Sequence, residues 1–361
     1  DYATAQSLAL SVLMGLVLTV LAIFTANYLV PFFAQSPQMV SETDLYLSIY
    51  ALYLVPFSLV CISNGAFRAI GDAKTPLLIV TVEVLINVAG DYITVLGNWP
   101  VPGLGIRGIA GSAVVGAIAG ALLSIYCLMQ SPLKNSLKLL FPVSRTAVAR
   151  VLKVGLPAGF QRLSWAASVF VVFFILSRLP SPTAGLAAWT IGMRVEALLF
   201  MPLMALSLAV GSIVGQSLGA KQVERAFKAG WHVTWIGVGW MLVLSVVLFT
   251  FATPIASLIS HDPDTIAITA DYLRINALSE PFLAVSMILS GALQGAGDTR
   301  VPMWISIFCN WVVRLPLAWF LATNAQWDAN GVWVAMSVSV IISSVIIAFR
   351  FQSGAWIKVQ V

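Results

Sequence analysis

Glu83, Asn87 and Asp91 recur every fourth residue within an otherwise apolar stretch, 76–96. In a helix that spacing stacks the three side chains on one face, over about 12 Å at about 1.5 Å per residue. None of the other apolar stretches carries such a stripe. Ionisable groups are costly inside a bilayer and as a rule face a bundle interior or a water-filled cavity. A carboxylate in a low-dielectric cavity gains strongly by binding a proton or a cation. Asp91, Asn87 and Glu83 therefore read as a cation or proton site, although the same spacing would also serve a polar contact that fixes helix packing.

Further polar groups fall inside apolar stretches. Arg194, Glu196, Glu280 and Arg314 could form buried ion pairs that stabilise one bundle or could line a cavity, and Gln161 and Asn310 are further cavity candidates. Arg162 lies close enough to the end of its stretch to snorkel outward, leaving Gln161 and Ser164 to face inward. Pro56-Phe57 and Pro281-Phe282 add a pair of prolines within long apolar stretches. Such a proline frees a backbone carbonyl and permits bending, which marks Pro56 and Pro281 as candidate points of a conformational switch. Cys61, Cys127 and Cys309 are scattered without metal-ligand spacing, and neither His232 nor His261 has a neighbouring ligand, so no metal site is expected. The chain has no His pair, no Ser-His constellation and no Gly-rich nucleotide loop with its Lys, which argues against an enzyme and against a bound cofactor.

The elements that must position these residues are membrane helices. Sixty per cent of the 361 residues are hydrophobic, 9% are charged and the mean hydropathy is +0.95, the composition of an all-α integral membrane protein. Ten runs are long enough to cross a bilayer, near 7–33, 46–69, 76–96, 108–129, 155–179, 184–214, 229–252, 266–293, 301–322 and 331–349. Gly65-Ala66, Gly71-Asp72 and Pro76 return as Gly291-Ala292, Gly297-Asp298 and Pro302, a constant offset of 226 residues. The match extends upstream, where Tyr46-Leu47 and Ala51-Leu52 return as Tyr272-Leu273 and Ala277-Leu278. Six spans separate equivalent points, so the two pseudo-symmetric bundles are same-orientation repeats. Shifted by 226, the pair 155–179 and 184–214 would precede residue 1, so we expect ten helices of a twelve-helix protein. The expected division is a four-helix bundle at 1–129, a cytoplasmic linker at 130–154 and a six-helix bundle at 155–361. Lys134, Arg145, Arg150, Lys153, Lys221, Arg225 and Arg350 fall on one side by alternation, whereas Glu42, Asp44, Asp262, Asp264 and Asp328 fall on the other. The basic side is the cytoplasmic one, which places the C-terminus inside and explains the net charge of +5 without nucleic acid.

The duplicated Gly-Ala-x-x-x-x-Gly-Asp-x-[Lys/Arg]-x-Pro turn resembles that of the multidrug and toxic compound extrusion (MATE) transporters. So do Asn87-x-x-x-Asp91 leading to Gly105-Ile106-Arg107-Gly108, and Arg194-Val195-Glu196 running to Pro202 and on to Val214-Gly215-Gln216. The likeness covers essentially the whole chain and is greatest to the DinF-like branch. It implies two bundles about a V-shaped cleft that opens alternately to either face and expels substrate against inward flow of sodium ions or protons. It further implies that Asn87 and Asp91 join an Asp of the missing first helix in the cation site. A Thr that some members carry near the start of the sixth helix is Ala113 here, beside Ser112, and an acidic residue of the seventh helix is Trp165. The expected function is antiport of small organic, cationic or amphipathic compounds by a monomer in the cell (inner or plasma) membrane. The alternative is a flippase or exporter of lipid-linked or polymeric substrates from the same superfamily.

Overall fold

The computed structural model describes residues 2–28, 37–96, 104–139 and 144–358. The end of the predicted first span, 29–33, and residues 140–143 of the predicted linker lie outside the described residues. Contacts divide the chain into two compact units, Asp1–Val151 and Leu152–Val361. Among the described residues every regular element is helical, because a lipid-embedded backbone must satisfy its own hydrogen bonds.

The first unit contains α1 (Tyr2–Tyr28), α2 (Pro37–Ala51), α3 (Leu54–Ala69), α4 (Lys74–Leu96) and α5 (Ile106–Gln130), with a short 3-10 turn at Lys134–Leu139. The helix α6 (Arg145–Leu176) begins just before the boundary. It is followed by α7 (Pro182–Gly219), α8 (Val223–Thr250), α9 (Ala252–Ile259), α10 (Pro263–Ala277), α11 (Glu280–Gly295), α12 (Arg300–Ile307), α13 (Leu315–Trp319) and α14 (Asp328–Gln352). Among the described residues eight helices are individually long and apolar enough to cross a membrane, α12 and α13 counting as one through the turns between them. Two bent pairs raise the number to as many as ten. This is the all-α membrane architecture the sequence predicts.

The bent pairs are the repeat-related ones. The α2–α3 break turns the axis by 40° and the α10–α11 break by 55°. Pro56 is the third residue of α3 and Pro281 the second of α11, first-turn positions where the missing N–H has no intrahelical partner to lose. Each proline thus starts a helix rather than kinking one midway. At the second break Ser279 satisfies a freed carbonyl twice, since its backbone N and its Oγ donate to Asn276 O at 2.8 and 2.9 Å.

Small residues spaced by four decide how the helices meet. On α5 the row Gly108, Ser112, Gly116 and Gly120 faces Thr94, Asp91, Asn87 and Glu83 of α4 in antiparallel order. A Cβ on Gly116 would stand 2.9 Å from Glu83 O. In the second unit Ser207, Gly211 and Gly215 of α7 meet Met287, Gly291 and Gly295 of α11. A Cβ on Gly211 would lie 2.9 Å from Gly291 O, and Ser207 Oγ donates to Met287 O at 2.9 Å. Without water to squeeze apolar faces together, such close backbone approach is what packs helices in lipid.

The duplicated Gly-Asp turns share a backbone shape and part in their use. Gly71 and Gly297 both have φ of 87°, the left-handed region that glycine enters at little cost. Asp72 is half-buried and closes the first turn of α4, accepting from Lys74 N at 2.9 Å, Thr75 N at 3.1 Å and Thr75 Oγ1 at 2.6 Å. The bonds from Thr75 hold its carboxyl below the usual carboxylate range. Asp298 is buried and accepts from Arg350 Nη2 at 2.6 Å and Nε at 3.0 Å, tying the α11–α12 turn to the end of α14. Replacing Arg350 by Ala would leave a buried carboxylate unpaired and should destabilise the protein by about 3 kcal/mol. Asp72→Ala, which removes a local turn partner only half-buried, should have a smaller effect. Thermal melting in detergent checks the order, and equal shifts would show that Arg350 does not hold the second turn.

Candidate cation site and binding cavity

The α4 stripe sits in the seam with α5. Asp91 accepts a short hydrogen bond from Ser112 Oγ, and Ser112 Oγ also lies 3.0 Å from Ile109 O. In the amide orientation that satisfies both of its ends, Asn87 donates to Asp91 Oδ2 at 3.2 Å and accepts from Ala113 N at 3.1 Å. The hydroxyl that the family resemblance would seek at position 113 is therefore supplied one residue earlier. Glu83 completes the row, with Oε2 3.2 Å from where a Cβ on Gly120 would stand. None of the ion pairs among the described residues involves Asp91 or Glu83. The cluster thus offers carboxylate and hydroxyl oxygens, with the Asn87 amide nitrogen turned to Asp91 and its oxygen to Ala113 N, and oxygen ligands of this kind suit a proton or a small hard cation.

The second unit holds an open cavity of about 700 Å³. Its walls come from regular stripes. Met193, Glu196, Phe200, Met204 and Ser207 fall every three or four residues along α7, and Glu280, Leu283, Met287, Ser290 and Gln294 do so along α11. The α10–α11 break adds Asn276 and Ser279. After Ile307 the backbone widens into π turns at Phe308–Arg314 and Phe320–Asn324, a distortion often found at functional sites. The first of these carries Cys309, Asn310 and Arg314 of the lining.

Of the predicted cavity residues, Gln161, Glu196, Glu280, Asn310 and Arg314 line this space. Arg194 does not: it is exposed, and two positions from Glu196 it lies about 200° round the helix. Arg162, which the sequence alone sends outward, lines the cavity, as does Trp165. Ser164 is absent from the wall and accepts from Trp311 Nε1 at 2.9 Å. Pro281 is also absent from the wall and acts only through the helix break.

The expected ion pairs do not form. Those among the described residues are Lys228–Glu224, Arg274–Asp271 and Arg350–Asp298. Glu196 Oε1 instead accepts from Tyr272 Oη at 2.7 Å, and Arg314 Nε donates to Ser339 Oγ at 2.9 Å. Tyr272 is fully buried, with Trp333 edge-on at 4.7 Å and its ring over Gly192, where a Cβ would come within 2.7 Å of the ring carbon Cζ. Asn276 Oδ1 accepts from Ser337 Oγ at 3.1 Å, while Asn276 Nδ2 and Glu280 Oε2 are buried without a partner. Gln294 Nε2 donates to Gln161 Oε1 at 3.2 Å. Among the described residues no group of His, Cys, Asp and Glu could hold a metal. Tyr272 and Asn276 escape sequence reasoning because their partners lie 76 and 61 residues away.

Membrane-spanning helices, one unit with a cavity walled mainly by apolar side chains and a few polar ones and the other with an oxygen-rich seam, are the architecture of a membrane transporter. Residues 2–93 and 157–320 match the MatE family model, and the chain belongs to that family. The Probable multidrug resistance protein NorM of Thermotoga maritima is 26% identical over 356 residues, covering 98% of this chain and 76% of that protein. Among solved structures, a MOP superfamily transporter from Pyrococcus furiosus superposes with a TM-score of 0.88 at 20% identity, covering 98% of this chain and 78% of that one. The Vibrio cholerae MATE transporter VcmN in its bent form gives 0.87 at 18%, covering 97% and 78%. The chain is thus a multi-pass membrane protein of a family of small-molecule efflux transporters.

Gly192→Val should push the Tyr272 ring off its seat and separate it from Glu196, destabilising the protein by about 1–3 kcal/mol. Tyr272→Phe, which removes one hydroxyl, should cost about 1 kcal/mol. Thermal melting in detergent tests the order, and an unchanged Gly192→Val would mean that the ring does not depend on that contact.

Proposed function

We propose that the protein is an antiporter that exports small organic, cationic or amphipathic compounds in exchange for sodium ions or protons, by alternating access. The observation that carries this reading is Asp91: a carboxylate within a membrane-spanning helix, bonded to the Ser112 hydroxyl and the Asn87 amide, with no cation paired to it. Loading such a carboxylate with Na⁺ or H⁺ changes its charge and its bonds to α5 together. A ligand whose affinity depends on that change must in turn alter ion affinity by the same factor, because linkage is reciprocal. Helix breaks at Pro56 and Pro281 supply places where the chain can bend without losing interior hydrogen bonds.

The cargo site of this reading is the cavity of the second unit, whose methionine and aromatic walls can adapt to varied apolar bodies. The asymmetry of Lys and Arg between loops supports a plasma-membrane protein with a cytoplasmic C-terminus. A monomer suffices, since each proposed site is built within one unit.

Reconstitution into proteoliposomes tests the proposal. An imposed sodium or proton gradient should drive efflux of a fluorescent organic cation, and whichever gradient does so names the coupling ion. Asp91→Asn should reduce gradient-driven efflux by at least about tenfold while leaving insertion intact. An undiminished rate in that variant would remove Asp91 from the coupling step.

A further inference from the structure

Three buried polar oxygens sit inside the apolar core of the first unit. Ser63, Asn64 and Ser124 are 1%, 5% and 0% exposed, and among the described residues nothing bonds to Ser63 Oγ, Asn64 Oδ1 or Ser124 Oγ. They share one place. Val60 and Phe67 of α3, Ala121 and Leu128 of α5, Ile79 of α4 and Leu8 of α1 belong to a single buried cluster. Ser63 and Asn64 fall between the α3 pair, and Ser124 between the α5 pair, on the same helix faces. Where a Cβ on Gly120 would stand, Val60 Cγ2 is 3.3 Å away and Glu83 Oε2 3.2 Å away, so α3, α4 and α5 meet there. Asn64 and Ser124 each lie four residues beyond that meeting point, about 6 Å along their helices, toward the Gly71 turn and the end of α5. α1 runs antiparallel to α3, with Thr19 Oγ1 donating to Ala51 O and Ser58 Oγ to Ser11 O, each at 2.9 Å. That register brings Gln6 level with Ser63. Gln6 is 1% exposed, and its Oε1 accepts from Ser144 N of the basic connection at 2.8 Å.

Buried polar groups that the protein leaves unpaired mark a place for water or an ion. Hydroxyls both donate and accept, and an amide carbonyl accepts, whereas none of the three groups carries the negative charge that would hold a metal cation in so apolar a setting. That set of donors and acceptors suits water. We propose that Ser63, Asn64 and Ser124 hold a chain of internal water that links Glu83 to the basic side of the first unit and serves as the release path for the coupling proton. Glu83 in its acid form gives its proton to the nearest water, each member of the chain passes one proton on, and the last releases it to the aqueous phase beside Gln6. The carboxylate left on Glu83 takes the next proton arriving along the α4 stripe from Asp91. Stripe and relay thus form one line across the unit, a use to which intramembrane polar side chains are often put. The inference rests on the antiport reading and assigns the proton as its ion.

Two measurements test it. Radiolytic hydroxyl labelling in detergent reads internal water directly, because radicals formed on a bound water oxidise the side chains beside it. Phe67 and Leu128, 1% and 0% exposed, should be oxidised in the wild type and should lose that labelling in the double variant Ser63→Ala, Ser124→Ala. In proteoliposomes the same variant should slow proton-driven efflux of a fluorescent organic cation by about tenfold or more, as expected when a positioned proton-transfer group is lost. The pair Ser63→Thr, Ser124→Thr keeps both hydroxyls and should retain the labelling and most of the flux. The relay is overturned if Phe67 and Leu128 stay unlabelled in the wild type, or if the double alanine variant keeps its proton-driven rate. Should that variant fail to fold, the wild-type labelling and the threonine pair still decide. Efflux through an unlabelled core, or efflux driven by sodium alone, would sink the relay and leave the antiport reading standing. Labelling without flux under either gradient would sink the antiport reading, and the relay with it.

Discussion

Close approach of helix backbones at small residues is the constraint on which the rest depends. Lipid offers no hydrophobic gain for helix association, so contact must come from van der Waals packing and from polar groups that meet across the interface. The row Gly108–Ser112–Gly116–Gly120 lets α5 lie against the polar face of α4, and that approach brings Ser112 and the Ala113 amide within reach of Asp91 and Asn87. The polar stripe is thus both packing and candidate chemistry. The two readings open at the level of sequence describe one set of contacts, because a site for a small ion in a bilayer has to be assembled where helices touch.

The second unit applies the same rule and then departs from it. Ser207, Gly211, Gly291 and Gly295 bring α7 and α11 together at one end, while the helix break before Glu280 and the π turn at Phe308–Arg314 hold the backbones away from regular packing farther along. A cavity opens where the regular rule is relaxed. Its polar groups are rationed: Tyr272 serves Glu196, Ser339 serves Arg314 and Ser337 serves Asn276, while Asn276 Nδ2 and Glu280 Oε2 stay without a partner.

Duplication is visible in the fold as equivalent breaks and equivalent turns, yet the copies have diverged in how they spend the same residue. Gly71 and Gly297 share a backbone angle, but Asp72 caps its own helix whereas Asp298 reaches a helix 52 residues on. A turn needs only local geometry, which the repeat preserves. A buried ion pair needs a partner on another helix, and position 124, which corresponds to Arg350 at the repeat offset, is a serine.

Hydropathy over twenty residues and four-residue spacing are local properties that the bilayer reads directly, so the class, the spans, the repeat and the polar stripe are legible along the chain. Glu196, Glu280, Gln161, Asn310 and Arg314 stand out in the same way, because an ionisable or amide side chain in an apolar run announces its cost wherever it sits. Which side chains meet is a property of the folded chain. The fold keeps Arg194 out of the cavity, brings Arg162 to it, leaves Arg314 and Glu280 without the expected contact ion pairs, and gives Asp91 the hydroxyl of Ser112. Those outcomes turn on helix rotation and on contacts between residues far apart in the chain, and a rotation of one residue, about 100°, suffices to carry a charge from one face to another.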